Sequence, residues 1–245
     1  MFGLDNKLSI SNYFITSKKI YKNTKILFIS DIHSSIDSND YYILDKLQDI
    51  DNVILGGDII DSKIENEDIF TFLQFLKNKF SNINFVLGNH ESSKKNLDKV
   101  KKISLFGNYL TKNPIKVNEN IKIYGVDDST FGIENFENKI SSYNDSLDQE
   151  LYNILISHEP HQHKRYVKTN FDLVLSGDAH GGQIRIFGRG LFAPRQGFFP
   201  KYTKGLYQLK FDQSMIVSTG ITTKKYIIPR LFNPREICII NFIAK

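Results

Sequence analysis

Five short apolar runs in this chain each stop at glycine or serine, and a side chain able to bind a metal follows. They are ILFIS before Asp31-Ile32-His33, NVILGG before Asp58, INFVLG before Asn89-His90, NILIS before His158, and DLVLSG before Asp178-Ala179-His180. Runs of this length bounded by small residues read as buried strands. In open α/β sheets, ligand sites lie just past the carboxyl ends of the strands. One fold feature therefore brings Asp31, His33, Asp58, Asn89, His90, His158, Asp178 and His180 to a common edge. Carboxylate, amide oxygen and imidazole together suit hard and borderline divalent metals.

Helical spacing fills the gaps between these runs. Residues 8–16 alternate as a strand, and 25–30 form the first buried strand. Tyr42, Leu44 and Leu47 predict a helix over 39–50, and Ile69, Phe72, Leu73 and Leu76 a stronger one over 66–80. Strands at 52–55 and 83–87 follow these helices, and Leu97, Val100 and Ile103 predict a third helix over 94–106. Further strands are expected at 121–126, 153–157 and 172–176, with a helix near 136–149. Beyond Ile184 the pattern is mostly β. The alternation predicts an α/β (α+β) chain whose residues 1–245 form a single domain. It is a four-layer sandwich, with two mixed β-sheets packed face to face and helices outside.

The 245 residues suffice for a sizeable core, and a charged fraction of 24% beside 40% hydrophobic residues argues against disorder. The net charge of +5 comes from scattered lysine pairs such as Lys18-Lys19 and Lys101-Lys102. These read as solvated faces rather than a nucleic-acid groove, because no stripe mixes arginine with aromatic residues. Cys238 sits alone in an apolar run and reads as a small core residue. No stretch is long and apolar enough to span a membrane, and no signal peptide is visible. The expected location is the cytoplasm, or peripheral at a cytosolic membrane surface. The oligomeric state is left open.

The ordered motifs carry a resemblance. Asp31-Ile32-His33, Gly57-Asp58, Gly88-Asn89-His90-Glu91, Ser157-His158-Glu159-Pro160 and Gly177-Asp178-Ala179-His180 resemble, in type and order, the calcineurin-like metallophosphoesterases. The segment AHGGQIR and the downstream LFAPRQGFFPKYTKGLY look like the bacterial branch that holds cell-envelope phosphodiesterases and UDP-2,3-diacylglucosamine hydrolases. The resemblance implies two divalent metal ions; manganese is the one expected, with iron, zinc and magnesium as alternatives. It places Asp31, His33 and His180 on the first metal, Asp58 between both, and Asn89 and His158 on the second. His90 would stand beside the metals without ligating them and would stabilise the phosphoryl group or protonate the leaving group. The implied reaction is hydrolysis of a phosphodiester or pyrophosphate by metal-bound hydroxide, in a small-molecule or lipid-linked substrate.

One position departs from the family pattern. Asp178 stands where the family carries the first histidine of His-x-His. An aspartate can still ligate a hard metal, and a third carboxylate beside Asp31 and Asp58 favours manganese or magnesium over zinc. Alternative readings are a cyclic-nucleotide or nucleic-acid phosphodiesterase and a catalytically weakened scaffold on the same fold. His161 and His163 read as loop residues near the substrate mouth. Asp127 and Asp128 read as a turn after a strand or as substrate contacts. Gln183 and Arg185 read as shaping a turn, with Arg185 also a weak candidate for substrate binding alongside Arg195 and His161. Phe192, Phe198, Phe199 and Tyr202 read as packing a long loop. Arg189, Arg195 and Lys201 in that loop are placed to hold a second anionic group.

Overall fold

The central strands lie between two apolar layers, which is why their sequences are almost continuously hydrophobic, whereas Leu8–Thr16 and Gly205–Lys210 expose alternate residues. The computed structural model describes residues 7–61, 67–93, 96–223 and 229–245. Its first six-stranded sheet runs, in spatial order, β1 (Leu8–Thr16), β16 (Arg235–Ile243), β2 (Thr24–Ile29), β3 (Asn52–Gly56), β4 (Ile83–Val86) and β5 (Asn108–Tyr109). The second runs β14 (Gly205–Lys210), β15 (Gln213–Val217), β9 (Leu173–Ser176), β8 (Tyr152–Ser157), β7 (Ile121–Val126) and β6 (Ile115–Lys116). The strands β2, β3 and β4 are mutually parallel, as are β7, β8 and β9.

One face of each sheet meets the other sheet. Ile26, Phe28, Ile54, Ile154, Ile156, Leu173, Leu175, Ile216, Cys238 and Ile240 build that shared layer. Their strand neighbours Leu27, Ile29, Val53 and Leu55 point the opposite way, under α1 (Ser38–Asp45), α2 (Asp68–Lys79) and α3 (Leu97–Ile103). On the far side, Leu155, Val174, Met215 and Val217 pack with Phe136, Ile140 and Tyr143 of α4 (Ile133–Asp145). The expected α/β sandwich of two mixed sheets flanked by helices is therefore observed.

Several boundaries differ from the sequence expectation. The first helix stops at Asp45 instead of running to residue 50. The chain must turn there, because just before β3 the Asp51 N–H donates to the Lys25 carbonyl and the Asp51 carboxylate accepts from the Lys25 N–H, and Asp49 takes a φ of 58°. The third helix covers only Leu97–Ile103, and Lys94 and Lys95 of its expected start lie outside the described residues. The helix α4 starts earlier than its apolar spacing suggests, from Gly132 at a φ of 126°. The strands β5 and β6 are two residues each, too short for any periodic signal.

A buried ion pair ties the first helix to the sheet. Asp37 caps α1 by accepting from the Asn39 N–H at 2.8 Å, and the Asp37 N–H donates to Asp40 at 3.0 Å. Asp40 also receives both arms of Arg235 from β16, at 2.6 and 2.9 Å, and Arg235 donates to the Ile221 carbonyl at 2.9 Å. Asp40→Asn removes the charge that compensates this buried guanidinium. The expected loss of unfolding free energy is about 3–5 kcal/mol, measured by denaturant titration, and a loss of under about 1 kcal/mol would refute the clamp.

Candidate metal centre

The strand ends carry the site. Asp31 and His33 follow β2, Asp58 follows β3, Asn89 and His90 follow β4, His158 follows β8, and Asp178 and His180 follow β9. Backbone bonds lace these loops together. The Asp31 and His33 N–H groups donate to the Gly57 and Asp58 carbonyls at 3.1 and 2.9 Å, and the Gly177 N–H donates to the His158 carbonyl at 3.1 Å. Side chains continue the lacing, with the Asp178 N–H donating to Asp31 Oδ1 at 3.0 Å and the His90 N–H to Asp58 Oδ1 at 2.9 Å. Gly57 lies against the His158 ring at a φ of 94°, where an added Cβ would stand 2.7 Å from Nδ1. Asp31, His33, Asp58, Asp178 and His180 themselves take φ between 46° and 62°, the left-handed region that side chains other than glycine rarely occupy. Such outliers persist only where the surroundings impose them, and they cluster at functional sites.

Apart from Asn89 and His90, which are partly exposed, the side chains brought together are almost fully buried. His158 Nε2 lies 3.2 Å from Asp58 Oδ2, 3.8 Å from Asp31 Oδ1 and 4.0 Å from Asp178 Oδ1. His180 Nε2 is 3.6 Å from Asp31 Oδ1, His33 Nε2 is 3.6 Å from Asp58 Oδ2, and His90 Nε2 is 4.0 Å from the same oxygen. Among the described residues, three overlapping sets could each hold a metal ion: Asp31 with His33 and His180, His33 with Asp58 and His90, and Asp31 with Asp58 and His158. The last two share Asp58, the residue expected to stand between two metals. His90 falls in one of these sets although the family pattern assigns it no ligand role.

The donors fit a divalent cation. His158 Nδ1 lies 2.8 Å from the Gly56 carbonyl, so the ring is held with its Nδ1–H on that side and Nε2 toward Asp58. Nε2 faces carboxylate oxygens across short distances, an arrangement that calls for positive charge, carried by a proton on Nε2 or by a cation in its place. Burial disfavours charge on His158, but Asp58, Asp31 and Asp178 lift its pKa well above the usual imidazole value. Burial raises Asp58 too, yet His158, His33 and His90 hold it well below the carboxylate range. Burial raises Asp31, which His158 opposes and Asp58 reinforces. Burial, with His33 and Arg230 nearby, keeps His180 neutral and therefore able to ligate.

Several residues around the cluster were not anticipated from sequence. Glu91 is fully buried and accepts from the Asp58, Ile60 and Gly88 N–H groups at 3.0, 2.9 and 2.7 Å, fixing two of the loops to each other. Burial, then Asp58, push its carboxyl up to about 7. Asp61 stands 3.6 Å from His33 Nδ1 and 3.7 Å from His90 Nδ1, where a carboxylate orients both rings. Glu159, directly after His158, accepts from the Ser129 N–H at 2.6 Å and lies 3.3 Å from His161. The available signal was a charged residue set in an otherwise apolar strand end.

The remaining candidates separate. Arg195 reaches the cluster and donates to Asn89 and Asp178, each at 3.1 Å. His161 lies 3.7 Å from Asp178. Arg185 instead donates to the Gly181 carbonyl at 2.8 Å and Thr203 at 3.0 Å, shaping its own loop. Asp127 accepts from the Leu87 N–H at 3.0 Å and Thr111 at 2.9 Å, joining the two sheets, whereas Asp128 caps a turn and meets Arg195. His163 packs on Tyr202, which is buried, while Phe198 is exposed and meets the Phe192 ring edge-on at 5.4 Å, and Phe199 is exposed.

Comparison with known proteins agrees with this geometry. The sequence profile of the calcineurin-like phosphoesterases matches residues 24–182, which include every cluster residue. A metallophosphoesterase of Campylobacter jejuni is 30% identical over 248 residues, covering 91% of this chain and 60% of that protein. A metallophosphoesterase of Aquifex aeolicus is 27% identical over 251 residues, covering 97% and 93%. The chain thus spans 60% of the length of the first relative and 93% of the second. The solved structure of the Thermus thermophilus protein TT1561 matches with a TM-score of 0.56 at 12% identity, covering 84% of this chain and 93% of that one, a likeness of fold alone. By its profile match and its strand-end clusters of metal-binding side chains, the chain belongs to the calcineurin-like phosphoesterase family.

Proposed function

We propose that this chain is a dinuclear-metal-dependent phosphoester hydrolase acting on a phosphodiester or pyrophosphate of a small or lipid-linked molecule. The observation that carries the reading is the position of Asp58, whose Oδ2 lies 3.2 Å from His158 Nε2 and 3.6 Å from His33 Nε2, between the groups assigned to the two cations. Asp31, His33 and His180 would hold the first cation, Asp58 would serve both, and Asn89, His158 and Asp178 would serve the second. Divalent cations bound there supply Lewis acidity toward a phosphoryl oxygen and lower the pKa of water. The carboxylates Asp31, Asp58 and Asp178 favour manganese. Residues 1–245 are read as one domain, supported by the apolar layer that both sheets share.

His90 is the residue best placed to move a proton. It is less buried than the cluster around it, with its side chain 21% exposed, so it lies on the side from which substrate arrives. Asp61 faces its Nδ1, which leaves Nε2 toward the cluster to hold a proton for the departing oxygen. Glu91 contributes by position, since its three backbone bonds set the spacing of Asp58 and His90.

Three outcomes are expected. Hydrolysis of a bis-aryl phosphate, followed by absorbance, stops when the protein is dialysed against chelator and returns with manganese; turnover that survives chelation removes the metal from the reading. His90→Asn lowers kcat by about 10²–10⁴-fold, the scale of general acid catalysis, with metal content by elemental analysis unchanged. An equal rate in the variant would contradict its proton role. Glu91→Gln faces at least one backbone N–H with an amide N–H and lowers stability by about 1–3 kcal/mol, read as a fall in melting temperature. An unaltered melting curve would mean that the carboxylate does not brace the loops.

A further inference from the structure

We infer that the guanidinium of Arg195 is the resident cation of the second metal position, so that a second metal enters by displacing it. The inference rests on the dinuclear reading above. Arg195 lies between β12 (Phe192–Ala193) and β13 (Gly197–Phe198), at a φ of 58°. From this turn its side chain enters the centre. Nη2 donates to Asn89 Oδ1 at 3.1 Å, to Asp178 Oδ1 at 3.1 Å and to Asp128 Oδ2 at 2.6 Å. Nη1 donates to Asp128 Oδ1 at 3.1 Å and to Glu159 Oε1 at 2.9 Å.

Two of these acceptors are the very atoms a second cation needs. Asp178 Oδ1 is the oxygen that lies 4.0 Å from His158 Nε2, and Asn89 Oδ1 is the only oxygen of that side chain. While Arg195 holds both, a metal approaching from that side competes with the guanidinium for Asn89 Oδ1 and Asp178 Oδ1, and Asp178 Oδ2 faces His161 at 3.7 Å. The three metal-binding sets contain neither Asp178 nor any atom beyond Asp31, His33, Asp58, His90, His158 and His180 among the described residues.

Charge explains why an arginine stands here. An aspartate at position 178 in place of a neutral imidazole adds one negative charge to a buried centre. A buried carboxylate needs a partner, and a planar guanidinium supplies one with directed donors. Arg195 balances that charge through Asp178 and is anchored on its other side by Asp128 and Glu159, both fully buried. These anchors let the fork release Asn89 and Asp178 without leaving the protein matrix. Asp178 and Arg195 act as one device that makes occupancy of the second position conditional.

Calorimetric titration of the metal-free full chain with manganese tests this. The expected result is one tight site and a second weaker one, with Arg195→Gln tightening the second by about tenfold or more, the scale of ordinary coupling between sites. In the unaltered protein, modification of Arg195 by phenylglyoxal, read by mass spectrometry, is expected to accelerate between the first and second equivalents of manganese. That second measurement decides the matter if the variant folds poorly. Second-site affinity unchanged or weakened in Arg195→Gln, two equally tight sites in the parent chain, or a modification rate indifferent to the second equivalent would each overturn the inference. With first-site binding and hydrolysis intact, those outcomes leave the functional reading standing. A chain that binds no manganese at all overturns both.

Discussion

Buried negative charge where the two sheets meet is the constraint that orders this molecule. Asp31, Asp58, Asp61, Asp128, Asp178, Glu91 and Glu159 are all buried near one edge. An isolated carboxylate in such surroundings is very costly, so each must find a compensating group. Glu91 finds backbone N–H groups, Asp61 finds the rings of His33 and His90, and Glu159 and Asp128 find Arg195. What remains around Asp31 and Asp58 is a set of imidazoles, at a place where the electrostatics call for positive charge.

The fold serves that edge by holding it still. Parallel strands from both sheets end together, and each end loop is bonded to its neighbour through backbone groups before any side chain is considered. The apolar layers behind give the rigidity. Phe28, Ile54, Ile154 and Leu173 lock the sheets to each other, and the helices close the outer faces. Movement of either sheet would shift donors from two directions at once, so the packing and the site share one mechanical reference.

Much of this was legible in the sequence because the signal was local. The strand 121–126 has the bounds its apolar run suggests, and the cluster residues come together as their positions after the strands imply. What escaped was non-local. Nothing in the run Arg235–Ile243 says that it enters the first sheet between β1 and β2, since that pairing is decided by which open edges remain. Arg195 was read as a loop cation for an anionic group. Its actual partners lie in four separate segments, and only the folded chain places them around it. Glu91 and Asp61 look like ordinary polar residues beside a motif until their burial is known.

The left-handed backbone at Asp31, His33, Asp58, Asp178 and His180 has a bearing on how such a chain ages under mutation. At each position glycine would relieve about 1–3 kcal/mol of conformational strain. Drift unopposed by selection would therefore run downhill, toward a sturdier protein with an empty edge. The strain is held in place by the bonds between the end loops, such as those from Asp31 and His33 to Gly57 and Asp58. Loosening the scaffold behind the strand ends would therefore let these donors relax away from one another even with every side chain intact.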